Sequence, residues 1–226
     1  MISNFAKIKS IYDNISQEYD DKYKCSTHLI EDKIIGKIIS DNIEKNETIL
    51  DIGCGTGHII TLANLNKDKY LGVDISQGMI QDAKEKYPKH KFLQEDITKI
   101  SFDLIKYDVV LAVYGQVNYI GLDAFCNILK GQKNNVKYIA VIYADNHKDY
   151  SYTSEHQIQF TPKDIVTEMN AHGIFPRVSG FSYYLKNKDM NYETQYGLTI
   201  NSDLEDDTSK VCKYYVVTNF KNFKEL

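Results

Sequence analysis

The sequence predicts an α/β fold in which a mainly parallel sheet of seven strands, the last one antiparallel, carries helices on both faces. Three observations predict it. From Thr48 onward short apolar runs alternate with helix-spaced segments, the pattern of strands buried on both sides by crossover helices. Before Thr48 the apolar spacing is helical throughout. After Phe160 the chain closes with a helix and two apolar, tyrosine-rich runs.

The elements follow in order. Ile8, Ile11, Tyr12, Ile15 and Tyr19 recur three or four apart and mark an amphipathic helix over Ile8–Lys24. A second helix runs from near Thr27 to about Ile43, with Ser26 or Thr27 placed to cap it. Strands are expected at Thr48–Gly53, Tyr70–Asp74, His90–Gln94, Tyr107–Val113 and Val136–Ala144, and helices at Gly57–Leu65, Gln77–Lys86 and Leu122–Lys130. The interval Asp96–Lys106 is too short for a long helix and reads as a tight loop with a turn. Thr161 caps a helix whose first position suits Pro162 and which ends near His172-Gly173. Phe175–Leu185 and Val211–Phe220, separated by the acidic segment Asp203–Asp207, pair as a long antiparallel hairpin that closes the sheet.

With 226 residues, 42% of them apolar, the chain buries one sizeable core and reads as a single domain, residues 1–46 forming a helical segment ahead of a core at 47–226. The formal charge of −4 and pI near 5.9 supply no basic field for a phosphate backbone, which disfavours nucleic acid as a partner. Cys25, Cys54, Cys126 and Cys212 lie far apart, without zinc spacing or the density of a disulfide scaffold, and read as reduced thiols of a cytoplasmic protein. No histidine pair has ligand spacing, so no metal site is expected. No run reaches membrane-spanning length, and the opening residues carry no secretory signal. A monomer and a homodimer both remain compatible with the sequence.

Asp51-Ile52-Gly53-Cys54-Gly55-Thr56-Gly57 ends the first strand and turns into a helix. Glycines there let bare backbone approach a ligand at the carboxyl edge of the sheet, where open α/β folds bind. The dinucleotide spacing fails in both registers, since it requires glycine where His58 or Ile60 stands. A phosphate-binding loop fails as well, because no Gly-Lys-Ser or Gly-Lys-Thr follows. The evenly spaced triplet with Asp51 ahead of it resembles motif I of the class I S-adenosylmethionine-dependent methyltransferases. Cys54 within it needs only to be small.

The resemblance runs roughly from Thr48 to Ala144 and implies a Rossmann-like methyltransferase sandwich with S-adenosylmethionine as cofactor and S-adenosylhomocysteine as product. Leu71-Gly72-Val73-Asp74-Ile75-Ser76 resembles the second motif, which implies Asp74 as acceptor for both ribose hydroxyls. Leu93-Gln94-Glu95-Asp96-Ile97 resembles the adenine site, with Asp96 accepting from the exocyclic amine and Ile75 and Ile97 sandwiching the ring. Tyr107–Tyr114 resembles the fourth motif, which sets Ala112 beside the methionine half of the cofactor. The opening Tyr12-Asp13-Asn14-Ile15-Ser16-Gln17-Glu18-Tyr19-Asp20 resembles the lid helix of small-molecule methyltransferases, and Tyr19 is the residue it implies for the cofactor's carboxylate.

The acceptor is expected at Tyr114, Gln116, Asn118 and Tyr119, which follow the fourth strand, with His147 and Tyr114 as candidates for proton removal. The place after that strand reads Val113-Tyr114-Gly115-Gln116, unlike the Asn-Pro-Pro-Tyr of enzymes that methylate DNA bases or glutamine. The expectation is therefore in-line methyl transfer to an O or N atom of a small molecule. The alternatives are methylation of a protein or tRNA, with Asp145–Phe160 and Lys186–Lys210 as recognition insertions, and a non-catalytic cofactor-binding subunit.

Overall fold

A computed structural model describes residues 4–22, 26–101, 106–143, 156–184 and 210–220. Two helices, α1 (Asn4–Lys22) and α2 (Ser26–Asn42), precede β1 (Ile49–Ile52). The alternation then runs α3 (His58–Ala63), β2 (Tyr70–Asp74), α4 (Gln77–Lys86) and β3 (Lys91–Gln94), followed by a 3-10 turn at Ile97–Lys99. It continues through β4 (Val109–Ala112), α5 (Gln116–Ile120), α6 (Leu122–Lys130) and β5 (Lys137–Tyr143). Last come α7 (Pro162–Ala171), β6 (Arg177–Tyr184) and β7 (Lys210–Thr218).

The seven strands form one sheet in the order β3-β2-β1-β4-β5-β7-β6. The five strands from β3 to β5 are mutually parallel. β7 is antiparallel to both of its neighbours and separates β5 from β6. The expected hairpin is present, and its second strand slots inward. Strand order reverses at β1, which has β2 on one side and β4 on the other, so a crevice opens beyond the carboxyl ends of β1 and β4.

Period-two alternation divides the core between the two faces of the sheet. Leu50, Ile52, Val110, Ala112, Ala140 and Ile142 point to one face and pack with Val117 of α5, Phe125 and Leu129 of α6, and Ile165 and Met169 of α7. Ile49, Val109, Leu111, Ile139 and Val141 point to the other and meet Ile35, Ile38 and Ile39 of α2 with Ile59 and Ile60 of α3. At about 25 cal/mol per Å2 of apolar surface, each such aliphatic side chain contributes roughly 1.5–3 kcal/mol. α1 lies on α4 rather than on the sheet, which carries its cavity-side face over the strand ends.

Chemistry at the ends matches local sequence. Ser76 caps α4 by accepting from the Met79 amide, and Thr161 with Asp164 forms a reciprocal capping box around Pro162 on α7. Helix α5 was not among the expected elements: it spans five residues between Gly115 (φ 76°) and Gly121 (φ 84°), too few for apolar periodicity to show. Among the described residues no helix is long and apolar enough to cross a membrane. The segment Asp203–Asp207 lies outside the described residues.

Candidate cofactor and acceptor site

The glycine loop leaves β1 with Gly53 (φ 69°), Gly55 (φ 53°) and Gly57 (φ 79°) all in the left-handed region. Gly53 and Cys54 donate their amides to the Val73 carbonyl at 2.7 and 3.1 Å, which locks the loop to β2. A side chain at Gly53 would strike Gln116, whose Cδ lies 1.8 Å from the position of an added Cβ, so that strand end stays bare because α5 leans over it. At Gly55 an added Cβ meets nothing within 4 Å, and the residue faces a cavity of about 260 Å3. Gly57 does not line that cavity: it precedes α3 and packs near Tyr87 and Ile60. Its expected ligand contact gives way to a turn role.

Three strand-end acids reach the cavity, each in a different state. Asp51, with no exposed surface, accepts from the Tyr70 hydroxyl at 2.6 Å, and its Oδ1 has no protein partner. Burial pushes its pKa up to about 7, the Tyr70 bond opposing and the nearby Asp74 charge reinforcing the shift. Asp74 accepts from the amides of Gly55 at 2.9 Å and Ser76 at 2.8 Å. Burial raises its pKa against those two bonds. Asp96 accepts from the Thr98 hydroxyl and amide at 2.7 and 3.1 Å and pairs with Lys99 at 2.8 Å; these partners outweigh burial and hold it below the usual carboxylate range. Ile75 and Ile97 line the cavity beside them.

Helix α1 is pinned across this cavity by two carboxylates one heptad apart. Asp13 accepts from the Ser76 hydroxyl at 2.6 Å and the Gly78 amide at 3.2 Å, and pairs with Lys9. Asp20 accepts from Thr56 of the glycine loop at 2.7 Å and pairs with Lys86 of α4. Each pin follows directly on a tyrosine that lines the cavity, Tyr12 before Asp13 and Tyr19 before Asp20, their ring centroids 6.1 Å apart. The Tyr12 hydroxyl lies 3.2 Å from that of Tyr119 on α5, to which Gln157 donates at 2.9 Å. An aromatic wall thus joins α1 to the floor beneath β4.

A buried network links the remaining walls. Asp32 of α2 accepts from the Tyr114 hydroxyl at 2.6 Å through one oxygen and meets His58 Nε2 at 2.7 Å through the other. The Asp32 bond raises the His58 pKa over the opposing effect of burial. Burial and then the Asp32 charge push the Tyr114 phenol well above its ordinary range, which makes it a donor to Asp32 rather than a base. Sequence reasoning passed over Asp32 and His58 because they lie 26 residues apart on separate helices. The available signal was an acid at position 32 at helical spacing from Ile35 and Ile39.

Tyr19, Asp51, Gly53, Gly55, Asp74, Ile75, Asp96, Ile97, Tyr114, Gln116 and Tyr119 all border the one cavity. Two further expected contacts do not. Ala112 is wholly buried on the α5–α6 face of the sheet; the next residue, Val113, alternates to the other side and lines the cavity instead. Asn118 is also wholly buried, accepting from the Tyr143 amide at 2.9 Å and donating to the carbonyls of Tyr143 at 3.1 Å and Ile158 at 2.9 Å. It clamps α5 to β5 and has no acceptor-facing surface. His147 lies outside the described residues.

The sheet order, the glycine turn and the strand-end acids narrow the fold to one group. Residues 49–137 match the family model described as a methyltransferase domain. This segment is a methyltransferase domain. Over 74 residues the chain is 40% identical to a putative methyltransferase of invertebrate iridescent virus 6, covering 32% of this chain and 28% of the viral one. A demethylmenaquinone methyltransferase of Bacteroides fragilis is 29% identical over 126 residues, covering 52% of this chain and 51% of that protein. The chain therefore spans about half or less of the length of these relatives. In fold it is similar to the magnesium protoporphyrin IX methyltransferase of Synechocystis solved with bound S-adenosylmethionine, at TM-score 0.61 and 13% identity over 96% of this chain and 98% of that one.

Proposed function

We propose that this chain transfers the methyl group of S-adenosylmethionine to an O or N atom of a small-molecule acceptor. The observation that carries the reading is that one cavity brings the acids at the ends of β1, β2 and β3 together with the tyrosines of α1, of α5 and at the end of β4. Asp74 offers its remaining lone pairs to the ribose hydroxyls, and Asp96 accepts from the adenine amine while Ile75 and Ile97 cover the ring faces. The unpartnered Oδ1 of Asp51 suits the cofactor's ammonium, the kind of donor that a buried orphan acceptor requires. Tyr19 closes over the amino-acid half from α1, which serves as a lid.

The acceptor enters beside Tyr12, Tyr119, Gln116 and Gln157, opposite the sulfonium. Alignment supplies most of the acceleration there, on the order of 7–11 kcal/mol for well-oriented groups. With Tyr114 committed to Asp32, proton removal from a hydroxyl or ammonium acceptor falls to water or to His147. The name of the Bacteroides relative, a demethylmenaquinone methyltransferase, favours a second reading, methylation of a quinone-type acceptor.

Incubation of the purified chain with methyl-labelled S-adenosylmethionine and a fractionated metabolite extract tests both. S-adenosylhomocysteine and a labelled small product are expected, and the product's NMR spectrum assigns the methyl to O, N or C. Label confined to protein or RNA would overturn the small-molecule reading, and cofactor binding without turnover the enzymatic one. Asp74→Asn should weaken cofactor binding by at least about thirtyfold, since two charge-assisted bonds at roughly 1.5–3 kcal/mol each are impaired. Unchanged affinity in that variant would remove Asp74 from the ribose site.

A further inference from the structure

We infer that His58, oriented by Asp32, receives the carboxylate of the cofactor's amino-acid half. The assignment rests on the cofactor reading above and adds a residue to it.

The charge inventory of the cavity points there. Its walls carry the carboxylates of Asp20, Asp32, Asp51, Asp74, Glu95 and Asp96, and neither a lysine nor an arginine is among the lining residues. S-adenosylmethionine brings a sulfonium and an ammonium, which such walls favour, and one carboxylate, which they repel. His58 is the one basic side chain on the wall among the described residues. It follows Gly57 directly at the start of α3, so the turn that ends the glycine loop fixes its position, and its side chain lines the cavity although Gly57 does not. Nearly half of its side-chain surface remains open, at 48%, although Nε2 is held by Asp32 at 2.7 Å. Anchoring one ring nitrogen on a carboxylate fixes the ring plane and leaves the other nitrogen as the donor toward a ligand.

The charges facing His58 come from three elements. Asp32 on α2 and Asp20 on α1 favour the imidazolium, while Lys86 on α4 opposes it. Asp20 is itself engaged by Lys86 and Thr56, which leaves Asp32 as the dominant partner. Because the Asp32 bond raises the His58 pKa, the imidazolium persists toward neutral pH and is lost as pH rises further. Carboxylate recognition at this point is therefore pH-dependent.

Isothermal titration of the full chain with S-adenosylmethionine and with its decarboxylated analogue isolates that contact, since the two ligands differ in the carboxylate alone. The wild type at pH 6.5 should prefer S-adenosylmethionine by about tenfold or more, the effect of one charge-assisted bond. His58→Gln should bring the two affinities within about threefold of each other by weakening S-adenosylmethionine while leaving the decarboxylated ligand unchanged. The preference should shrink more steeply in the wild type than in His58→Gln as pH is raised from 6.5 to 9, the variant carrying only the titration of the ligand's own α-amino group. Asp32→Asn, which keeps an acceptor for Tyr114 but removes the charge, should move that decline to lower pH. A His58→Gln chain that retains the full preference, or that loses both ligands equally, overturns the assignment and leaves the cofactor reading standing. A folded wild type that binds neither ligand overturns the cofactor reading first.

Discussion

Asp51→Asn exchanges one carboxylate oxygen for an amide nitrogen at a site with no exposed surface, and its effect on the ligand-free protein is set by ionisation. An aspartate in the unfolded chain titrates near 3.8, whereas burial holds Asp51 near 7 in the fold. The folded state therefore keeps a proton that the unfolded state has lost, and the wild type loses stability as pH rises from about 4 to about 7. At about 1.4 kcal/mol per unit, that cost is of order 2 kcal/mol at pH 5 and levels near 4 kcal/mol above pH 7. Asparagine never ionises, so the stability difference between variant and wild type should move in the variant's favour by roughly 2–3 kcal/mol between pH 5 and pH 8. Urea unfolding of both proteins at the two pH values measures it, any fixed change in the Tyr70 contact cancelling from the comparison. A difference independent of pH would refute the buried, proton-holding carboxyl. S-adenosylmethionine should reverse the ranking, because the variant has no charge to offer an ammonium.

Two further variants separate ligand surface from scaffold. Gly55→Ala should cost the apo fold only about 1–2 kcal/mol, the penalty of a left-handed φ for a residue with Cβ, yet reduce cofactor affinity far more, because that Cβ enters the cavity; thermal melting with and without ligand distinguishes the two effects. Asn118→Ala should destabilise the chain by about 2–4 kcal/mol through three buried hydrogen bonds left broken. At a temperature where that variant remains folded, its affinity for S-adenosylmethionine should stay near wild type, and a selective loss of acceptor binding would return Asn118 to the substrate site.

The limits of β2, α4 and α6 were legible to the residue because each is bounded by local signals, such as the Ser76 cap and the strand-end Asp74. The acids of the cofactor side were legible for the same reason, each standing at a strand end in a short motif. Which side of a strand faces the crevice is not local. Ala112 and Val113 are equally apolar in sequence, and only the neighbouring strands decide that Val113 looks into the cavity. Asn118 carried the chemistry of a ligand contact, but the turn through Gly115 folds it beneath the end of β5, where backbone groups consume its amide. The Asp32–His58–Tyr114 link spans up to 82 residues and joins a helix that precedes the first strand to the end of the fourth, so no spacing rule reveals it.

The inward position of β7 also governs how the chain assembles. Ile139 waits for Thr218 and Tyr143 for Tyr214, while β6 has no bonded place in the sheet until β7 arrives to join it. Closure of so long a loop is slow relative to pairing of β1, β2 and β4. Until then the strand Lys-Tyr-Ile-Ala-Val-Ile-Tyr of β5 presents one open edge, uninterrupted by proline or glycine and charged only at its first residue. Such an edge templates intermolecular pairing. Yield of soluble protein should thus depend on β7 docking promptly between β5 and β6.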